Sequence, residues 1–350
     1  MAFKVVKIVG DIEGILDDSS AIAEMGILFT KKACTSEEEV IATAGDADYV
    51  LTIGHMRPVG PVIMDGLKKC RFVQTIGIGY DGIDVDAATK RGIGVVNIPD
   101  YCTEEVSDHV MALILSWSRR TVQLNGVIKQ GKLAASFSEI SQGVKKIWSG
   151  MDRLEGKSLG LIGLGRISRA VVRKAKGFGM NLLAYDPYIP ERTGEELGVK
   201  LVGLRELLRT SDIVSISVGL TSETKHMIGR EQLREMKPSA YLINTSRGSI
   251  VDADALYEAL EGGMIAGAGL DVTDPDPLPP DSKFLGLDNL ILTGHSAHAS
   301  PRAWAELRNR PFEEVKRVLR GEWPVGLVNL AVKEKENCRG PVRKGDSRGA

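Results

Sequence analysis

The stretch from Ser158 to Asp186, SLGLIGLGRISRAVVRKAKGFGMNLLAYD, limits the possible folds more than any other part of the chain. A short apolar run leads directly into Gly163 and Gly165, a helical pattern follows, and a second apolar run ends at Asp186. A strand, a glycine turn, a helix and a second strand form a βαβ unit, whose two strands are parallel. The stretch therefore predicts a Rossmann-type α/β domain.

The glycine turn is suited to binding a dinucleotide. Gly163 allows the tight turn, and Gly165 lets the backbone approach a pyrophosphate, which then lies among the free N–H groups of the helix N-terminus. Asp186 can accept hydrogen bonds from a ribose diol and would repel a 2′-phosphate, so NAD is favoured over NADP. Arg166 lies near the phosphates and could help NADP, and Ser168 replaces the third glycine of the usual pattern. A glycine turn that binds nothing is the alternative, and the agreement of strand, spacing, helix and acid disfavours it.

Short β-branched runs alternate with helical patterns along most of the chain. The first hundred residues carry the strand candidates VVKIVG, GILFT, YVLTIG, RFVQTIG and GVVNIP, and the second half carries SLGLIG, NLLAYD, IVSISV, AYLINT, GAGLDV and NLILTG. This alternation predicts two doubly wound α/β units with parallel sheets. A long helix, capped by Thr103, follows a boundary near Pro99–Tyr101, and a second crossover lies near Ser300. In the last helix, Pro311 is expected to cause a kink or an interruption.

The composition excludes several classes of function. The formal net charge is −1, so there is no electrostatic case for nucleic acid or a membrane surface as a partner, and no apolar run reaches the roughly 18 residues of a membrane span. The four cysteines lack CxxC spacing and the first residues predict a strand rather than a signal peptide, so we expect a cytoplasmic protein without a zinc site. The polar, basic residues 331–350 predict a disordered tail.

Candidate reactive groups follow three successive strands of the second half. Arg247 follows AYLINT, one of the acids Asp271, Asp274 and Asp276 follows GAGL, and His295 follows NLILTG. Hydride transfer to a 2-keto acid needs an arginine for the carboxylate, a histidine that gives a proton to the nascent alkoxide, and an acid that orients the histidine. Each group also has a plainer alternative, such as a surface arginine or a turn-forming aspartate.

These segments together resemble the D-isomer-specific 2-hydroxyacid dehydrogenase family. The resemblance covers about Val50 to Leu330 and includes IGIGYDGIDVDAATKRGIGVVNIP, EEVSDHVMALILSWSRR, RLEGKSLGLIGLGRISRAV, AKGFGMNLLAYDPY, INTSRGSIVDADAL, GAGLDVTDPDPLP and LILTGHSAHAS. The chain is similar to the branch of hydroxypyruvate/glyoxylate reductases, phosphoglycerate dehydrogenase-like proteins and C-terminal-binding-protein-like members. The resemblance implies a Rossmann NAD-binding domain, residues 101–298, inserted into a flavodoxin-like substrate domain, residues 1–100 and 299–330.

The resemblance also implies roles for single residues. Arg247 would bind the substrate carboxylate and carbonyl, His295 would be the acid/base with Asp276 as its partner, and the backbone amides of Ile78 and Gly79 would bind the substrate carboxylate. The positions that match cofactor contacts are Arg166, Ile167, Asp186, Thr224, Thr245, Ser246 and Asp271. Members of the family are usually dimers through the NAD-binding domain, in the region of residues 101–150, so a homodimer is expected.

The leading interpretation is an NAD-dependent D-2-hydroxyacid dehydrogenase that reduces a small 2-keto acid. The rival is a dinucleotide-sensing interaction protein, similar to the corepressor members of the branch, with little or no turnover. Asp276 stands where the family usually has glutamate, and a formate dehydrogenase-like member would have an amide there. His298 replaces a small residue, and we expect a loop histidine without chemistry rather than a substrate-shaping contact. No His/Cys cluster or HExxH helix accompanies His295 and His298, so metal binding is not expected.

Overall fold

A computed structural model describes residues 2–9, 22, 25–131 and 142–343 of the chain. The chain divides into two compact units, one of Met1–Tyr101 and Ser300–Ala350 and the other of Cys102–Ala299. The strands are β1 (Lys4–Lys7), β2 (Leu28–Lys31), β3 (Tyr49–Thr52), β4 (Phe72–Thr75), β5 (Gly94–Val96), β6 (Ser158–Ile162), β7 (Asn181–Tyr185), β8 (Lys200–Leu201), β9 (Ile213–Ile216), β10 (Tyr241–Asn244), β11 (Gly267–Leu270) and β12 (Leu290–Leu292). The helices are α1 (Glu37–Ala44), α2 (Pro61–Gly66), α3 (Val85–Lys90), α4 (Thr103–Ser118), α5 (Thr121–Lys129), α6 (Gln142–Ser149), α7 (Arg166–Lys176), α8 (Glu191–Leu197), α9 (Leu204–Thr210), α10 (Arg230–Glu235), α11 (Ala253–Glu261) and α12 (Pro301–Leu319).

Both sheets are wholly parallel in the part of the chain that the structure describes. The first sheet has the order β2-β1-β3-β4-β5, which is the flavodoxin-like order, and the second has the order β12-β11-β10-β9-β6-β7-β8. Counted from β6, the second order is the Rossmann order with one further strand at the β12 edge. All residues of β3, β4, β9, β10 and β11 are buried, as expected for parallel strands covered on both faces. The predicted fold class is thus confirmed, although the two-residue strand β8 was missed.

Helix α4 packs on the second sheet through its apolar face. Val106, Val110 and Trp117 are buried, as their helical spacing predicts. The Trp117 ring stacks on Tyr241 of β10 with 4.4 Å between ring centroids and 6° between planes. The expected cap by Thr103 is wrong, because Cys102 occupies the N-cap position and provides no side-chain hydrogen bond. Packing on the sheet, rather than a cap, therefore fixes this helix.

The disorder predicted for the C-terminal residues is wrong for 331–343. The guanidinium of Arg71 donates to the carbonyl oxygen of Arg339 over 2.9 Å, while Arg339 donates over 2.8 Å to two carbonyls before β4. Val342 is buried in the core of the first unit. These hydrogen bonds from arginine side chains satisfy backbone carbonyls. They order the polar segment 331–343, which buries little apolar surface of its own. Residues 344–350 lie outside the described residues.

Helix α12 runs from Pro301 to Leu319 with Pro311 inside it, so the expected interruption does not occur. The Ser300 hydroxyl caps the helix by accepting from the N–H of Ala303 over 2.9 Å. Along the described ranges, no helix combines the length and the apolar character that crossing a bilayer requires.

Candidate active site

The predicted site residues of the second unit follow the carboxyl ends of its strands. Because the strands are parallel, their carboxyl ends lie at one edge of the sheet. The glycine turn follows β6 and Asp186 follows β7, whereas Arg247, Asp271 and His295 follow the neighbouring strands β10, β11 and β12. Strand order reverses between β6 and β9, and open α/β sheets bind ligands at such a switch point.

The two glycines of the turn are needed for different reasons. Gly163 has φ +89°, and a Cβ there would lie 2.6 Å from the carbonyl oxygen of Ser217, so the fold itself requires glycine. Gly165 is the N-cap of α7, and no atom lies within 4 Å of where its Cβ would be. This open space above the first N–H groups of an eleven-residue helix fits a pyrophosphate.

Asp186 forms a direct hydrogen bond with the glycine turn. Its Oδ2 accepts from the N–H of Leu164 over 2.9 Å, and its Oδ1 accepts from the N–H of Tyr188 over 3.1 Å. The carboxylate is half-buried and still carries lone pairs that a ribose diol can use. Of the other predicted contacts here, Ile167 is half-buried, and Arg166 is exposed with no hydrogen bond or ion pair to the described residues. These residues fit a dinucleotide.

The other predicted cofactor contacts hold loops in place. The Thr224 hydroxyl donates to the carbonyl of Gly219 over 2.7 Å, which closes the loop after β9. The Ser246 hydroxyl donates to the carbonyl of Ile216 over 3.0 Å and so ties the loop after β10 to the end of β9. Thr245 is half-buried between these strand ends. Their contacts to a cofactor stay a prediction.

Two local features fix the position of Arg247. The buried Asn244 donates from Nδ2 to the carbonyl of Arg247 over 2.8 Å, which closes the turn after β10. Gly248 packs so closely that a Cβ there would lie 1.9 Å from the carbonyl oxygen of Thr273. The Arg247 turn therefore lies directly against the loop that carries Asp276.

His295 and Asp276 form a hydrogen-bonded pair. The distance from Nδ1 of His295 to Oδ2 of Asp276 is 2.7 Å, and the side chains are 30% and 28% exposed. An ionised carboxylate only accepts, so Nδ1 carries the hydrogen of this bond. His295 has φ +57° and follows Gly294 with φ +61°, so a left-handed turn presents the imidazole. The aspartate therefore makes the bond despite being one methylene shorter than glutamate.

Asp271 holds the loop that carries His295. Its carboxylate is 2% exposed and accepts from the Thr293 hydroxyl over 2.7 Å, from the N–H of Ser296 over 2.9 Å and from the N–H of Ala297 over 3.1 Å. These bonds use several of its lone-pair sites. The predicted contact of Asp271 with a cofactor stays a prediction.

His298 lies edge-on to His295, with 5.9 Å between ring centroids and 85° between planes. Burial lowers the pKa of His298 and the charge on His295 acts in the same direction, whereas Asp271 acts against them. His298 is thus poorly suited to carry a proton beside a protonated His295. Among the described residues, no group of three or more His, Cys, Asp or Glu side chains could hold a metal ion.

Ile78 and Gly79 belong to the first unit and follow β4. The Ile78 carbonyl accepts from Nδ2 of Asn97 over 2.8 Å, and the Gly79 carbonyl accepts from the Thr75 hydroxyl over 3.1 Å. The N–H groups of Ile78 and Gly79 make no hydrogen bond to any described residue. With its carbonyls fixed and two adjacent N–H groups not used by described acceptors, this turn is suited to an anion.

One residue of the site was not predicted. Nε2 of His109, on α4, lies 2.9 Å from Oγ1 of Thr293 and 3.6 Å from Oδ1 of Asp271. One feature of the sequence could have indicated this residue. His109 is a polar side chain next to the buried Val110, on a helix whose apolar face packs on the sheet.

The fold, the glycine turn and the hydrogen-bonded pair of His295 and Asp276 are together typical of a dinucleotide-dependent oxidoreductase. The sequence model of the "D-isomer specific 2-hydroxyacid dehydrogenase, NAD binding domain" family matches residues 111–297. A glyoxylate reductase of Korarchaeum cryptofilum is 42% identical over 305 residues, which are 87% of this chain and 90% of that protein. The chain therefore belongs to the D-isomer-specific 2-hydroxyacid dehydrogenase family, and it is an enzyme that uses a nicotinamide dinucleotide.

Two solved structures have the same fold and contain different bound molecules. The D-lactate dehydrogenase from Aquifex aeolicus, complexed with NAD and lactic acid, is 28% identical with a TM-score of 0.76, over 91% of this chain and 96% of that chain. The acyclic imino acid reductase Bsp5, in complex with NADPH and D-Arg, is 27% identical with a TM-score of 0.80, over 93% of this chain and 100% of that chain. The fold therefore accommodates either dinucleotide.

Proposed function

We propose that this enzyme reduces a small 2-keto acid to the D-2-hydroxy acid with NADH. The 2.7 Å bond between His295 and Asp276, on the same sheet edge as the glycine turn, is the observation that carries the proposal. A protonated imidazole that is oriented by a carboxylate suits donation to a developing alkoxide. The glyoxylate reductase among the relatives supports a keto acid as small as glyoxylate.

Each residue of the chain then has a separate task. When bound between the glycine turn and Asp186, NADH supplies the hydride to C2 of the keto acid. Arg247 binds the substrate carboxylate and carbonyl through its guanidinium fork. His295 gives the Nε2 proton to the carbonyl oxygen, and Asp276 keeps the ring oriented and stabilises the imidazolium. In the reverse direction, neutral His295 accepts the hydroxyl proton.

The N–H groups of Ile78 and Gly79 complete the proposed set. We propose that they also bind the substrate carboxylate, because they are adjacent, half-exposed and not used by any described acceptor. Bonds from backbone N–H groups to a carboxylate are charge-assisted, and such bonds are among the stronger hydrogen bonds.

A substrate panel tests the proposed function. NADH consumption is measured with glyoxylate, hydroxypyruvate, pyruvate and bulkier keto acids, and the product is assigned by chiral chromatography. Turnover of one or more small keto acids to the D-isomer is the expected result. NADH binding without turnover across the panel would contradict the proposal and would favour the interaction role of corepressor-like members.

We propose NAD as the preferred cofactor, and Asp186→Asn tests this preference. The amide oxygen can still accept from the N–H of Leu164, but the negative charge that repels a 2′-phosphate is lost. The ratio of kcat/KM with NADPH to that with NADH should rise about tenfold, which corresponds to about 1.4 kcal/mol. Steady-state kinetics with both cofactors measures the ratio.

Arg166 provides the control for the cofactor prediction. In the Asp186→Asn background, Arg166→Gln should remove part of the gained NADPH activity, because an exposed guanidinium at the first turn of α7 can pair with the 2′-phosphate. An unchanged cofactor ratio in Asp186→Asn would show that this carboxylate does not select the cofactor.

We also propose a homodimer through residues 101–150. Helix α5 buries none of its residues in the isolated chain, and Val122, Ile128 and Trp148 are 50%, 52% and 40% exposed. Large apolar side chains grouped on one region of a monomer indicate an interface. Ile128→Asp should therefore give monomers in light scattering, whereas Leu285→Asp, which is exposed elsewhere in the same unit, should remain dimeric. A monomeric parent protein would refute the dimer.

A cytoplasmic location is proposed as well. No disulfide joins any of Cys34, Cys70, Cys102 and Cys338, and burial raises the pKa of the Cys70 thiol to about 12. Cysteines without disulfides are typical of a reducing compartment. Cell fractionation of the tagged full chain tests this location.

A further inference from the structure

We propose that His109 is a positioning residue that fixes the loop of His295 through Thr293 and Asp271. The inference rests on the proposed function, in which His295 transfers the proton. It concerns a helix residue that does not touch the substrate and that acts only through other side chains.

The hydrogen-bond directions in this group follow from the donors available. The Asp271 carboxylate only accepts, so the single hydroxyl proton of Thr293 is donated to Oδ1 over 2.7 Å. The Thr293 oxygen can then only accept in its 2.9 Å contact with Nε2 of His109. His109 must therefore carry a hydrogen on Nε2.

This group determines where the catalytic turn lies. Beyond Thr293, the Asp271 carboxylate accepts from the N–H groups of Ser296 and Ala297, and the Asp271 carbonyl accepts from the N–H of His295 over 2.5 Å. His295 has φ +57°, a conformation that a residue other than glycine keeps only when its surroundings enforce it. The hydrogen bonds to Asp271 hold His295 in this conformation.

His109 connects this turn to a rigid element. Helix α4 is held on the sheet by the stack of Trp117 on Tyr241, and the His109 side chain is 20% exposed. Nε2 of His109 also lies 3.6 Å from Oδ1 of the buried Asp271 carboxylate, which is within ion-pair distance. Loss of the His109 donor would let the Thr293 hydroxyl rotate and would weaken the hold of Asp271 on the turn.

Two substitutions of His109 separate a hydrogen-bond role from a packing role. His109→Leu keeps the side-chain bulk but removes the donor, whereas in His109→Gln the amide N–H can still reach Thr293. With glyoxylate and NADH, we expect His109→Leu to lower kcat about tenfold to hundredfold, to leave both KM values within about twofold, and to raise the solvent isotope effect on kcat. His109→Gln should restore most of the kcat and the parental isotope effect.

Asp108→Asn serves as the matched control. Asp108 is the preceding residue of α4, is exposed and pairs with Lys174, so its loss changes the charge of the same helix away from the loop. Kinetics unchanged in Asp108→Asn, together with the split between His109→Leu and His109→Gln, support the proposal. Parental kcat and isotope effect in a folded His109→Leu overturn it, and so does an equal loss in both variants.

Nitrogen-15 NMR of the histidine rings gives a readout that needs no turnover. In the parent protein, His109 should be in the Nε2–H form, and the His295 ring signals should shift in His109→Leu but not in His109→Gln. An Nδ1–H form of His109, or unmoved His295 signals, overturns the proposal. If the parent reduces no keto acid, the proposed function fails, while this measurement still decides whether His109 positions His295.

Discussion

His295→Gln is expected to lose about 100- to 10,000-fold in keto-acid turnover, the range that a positioned acid or base contributes. The amide cannot release a proton from the position of Nε2, so the developing alkoxide stays unneutralised. NADH affinity should be unchanged, because the glycine turn and Asp186 lie at the opposite half of the sheet edge. Stopped-flow NADH oxidation and fluorescence titration of NADH measure the two quantities.

The left-handed backbone at His295 requires its own control. His226 also has a positive φ, +53°, and is exposed in the same unit, so His226→Gln makes the same substitution on a similar backbone. It should keep near-parental turnover. His295→Asn adds a variant whose side chain tolerates this conformation better and still lacks an acid. Near-normal turnover in either His295 variant would eliminate this histidine as the proton donor.

Arg247→Lys should lower kcat/KM for the keto acid about 100-fold, which corresponds to about 2.7 kcal/mol. A lysine keeps the positive charge but cannot form two parallel hydrogen bonds to carboxylate and carbonyl oxygens. The loss should lie mainly in the KM for the keto acid, with the Kd for NADH unchanged. Steady-state kinetics with variable keto acid separates these effects.

Arg192→Lys is the matched control for Arg247. Arg192 is 85% exposed and forms a surface ion pair with Glu196, so its replacement should change neither parameter. A parallel loss of NADH affinity in Arg247→Lys would indicate that Arg247 holds the cofactor or the fold of the turn instead of the substrate.

Much of the fold could be predicted because its signals are local. Short apolar runs and the spacing between them predict eleven strands and the glycine turn. The structure contains a strand at each of the eleven runs, and the glycine turn follows β6. Strand β8 has only two residues, too few to show a period. The ordered segment 331–343 could not be predicted, because its order depends on hydrogen bonds that span more than 260 positions of sequence. Arg71 donates to the carbonyl of Arg339, and Arg339 donates to the carbonyls of Leu67 and Cys70.

The candidate site, too, could be predicted only where its signals are local in the sequence. The residues Arg247, Asp276 and His295 could be selected because strand ends and the family pattern mark them, and the structure pairs the last two. The holding role of Asp271 and the presence of His109 depend on contacts between a helix and a distant loop. A single sequence does not reveal such contacts. Taken alone, Asp271 is interpreted as an ordinary turn residue and His109 as an ordinary histidine of a helix.

The division of the chain has a consequence for its synthesis. The second unit is continuous from Cys102 to Ala299 and can complete both sides of its sheet as it leaves the ribosome. The first unit cannot, because its core includes Phe312 and Val342, which follow the second unit in the sequence. Its five strands must therefore wait, partly uncovered, through the synthesis of about two hundred further residues. The five strands that are synthesised before the second unit therefore finish folding after it.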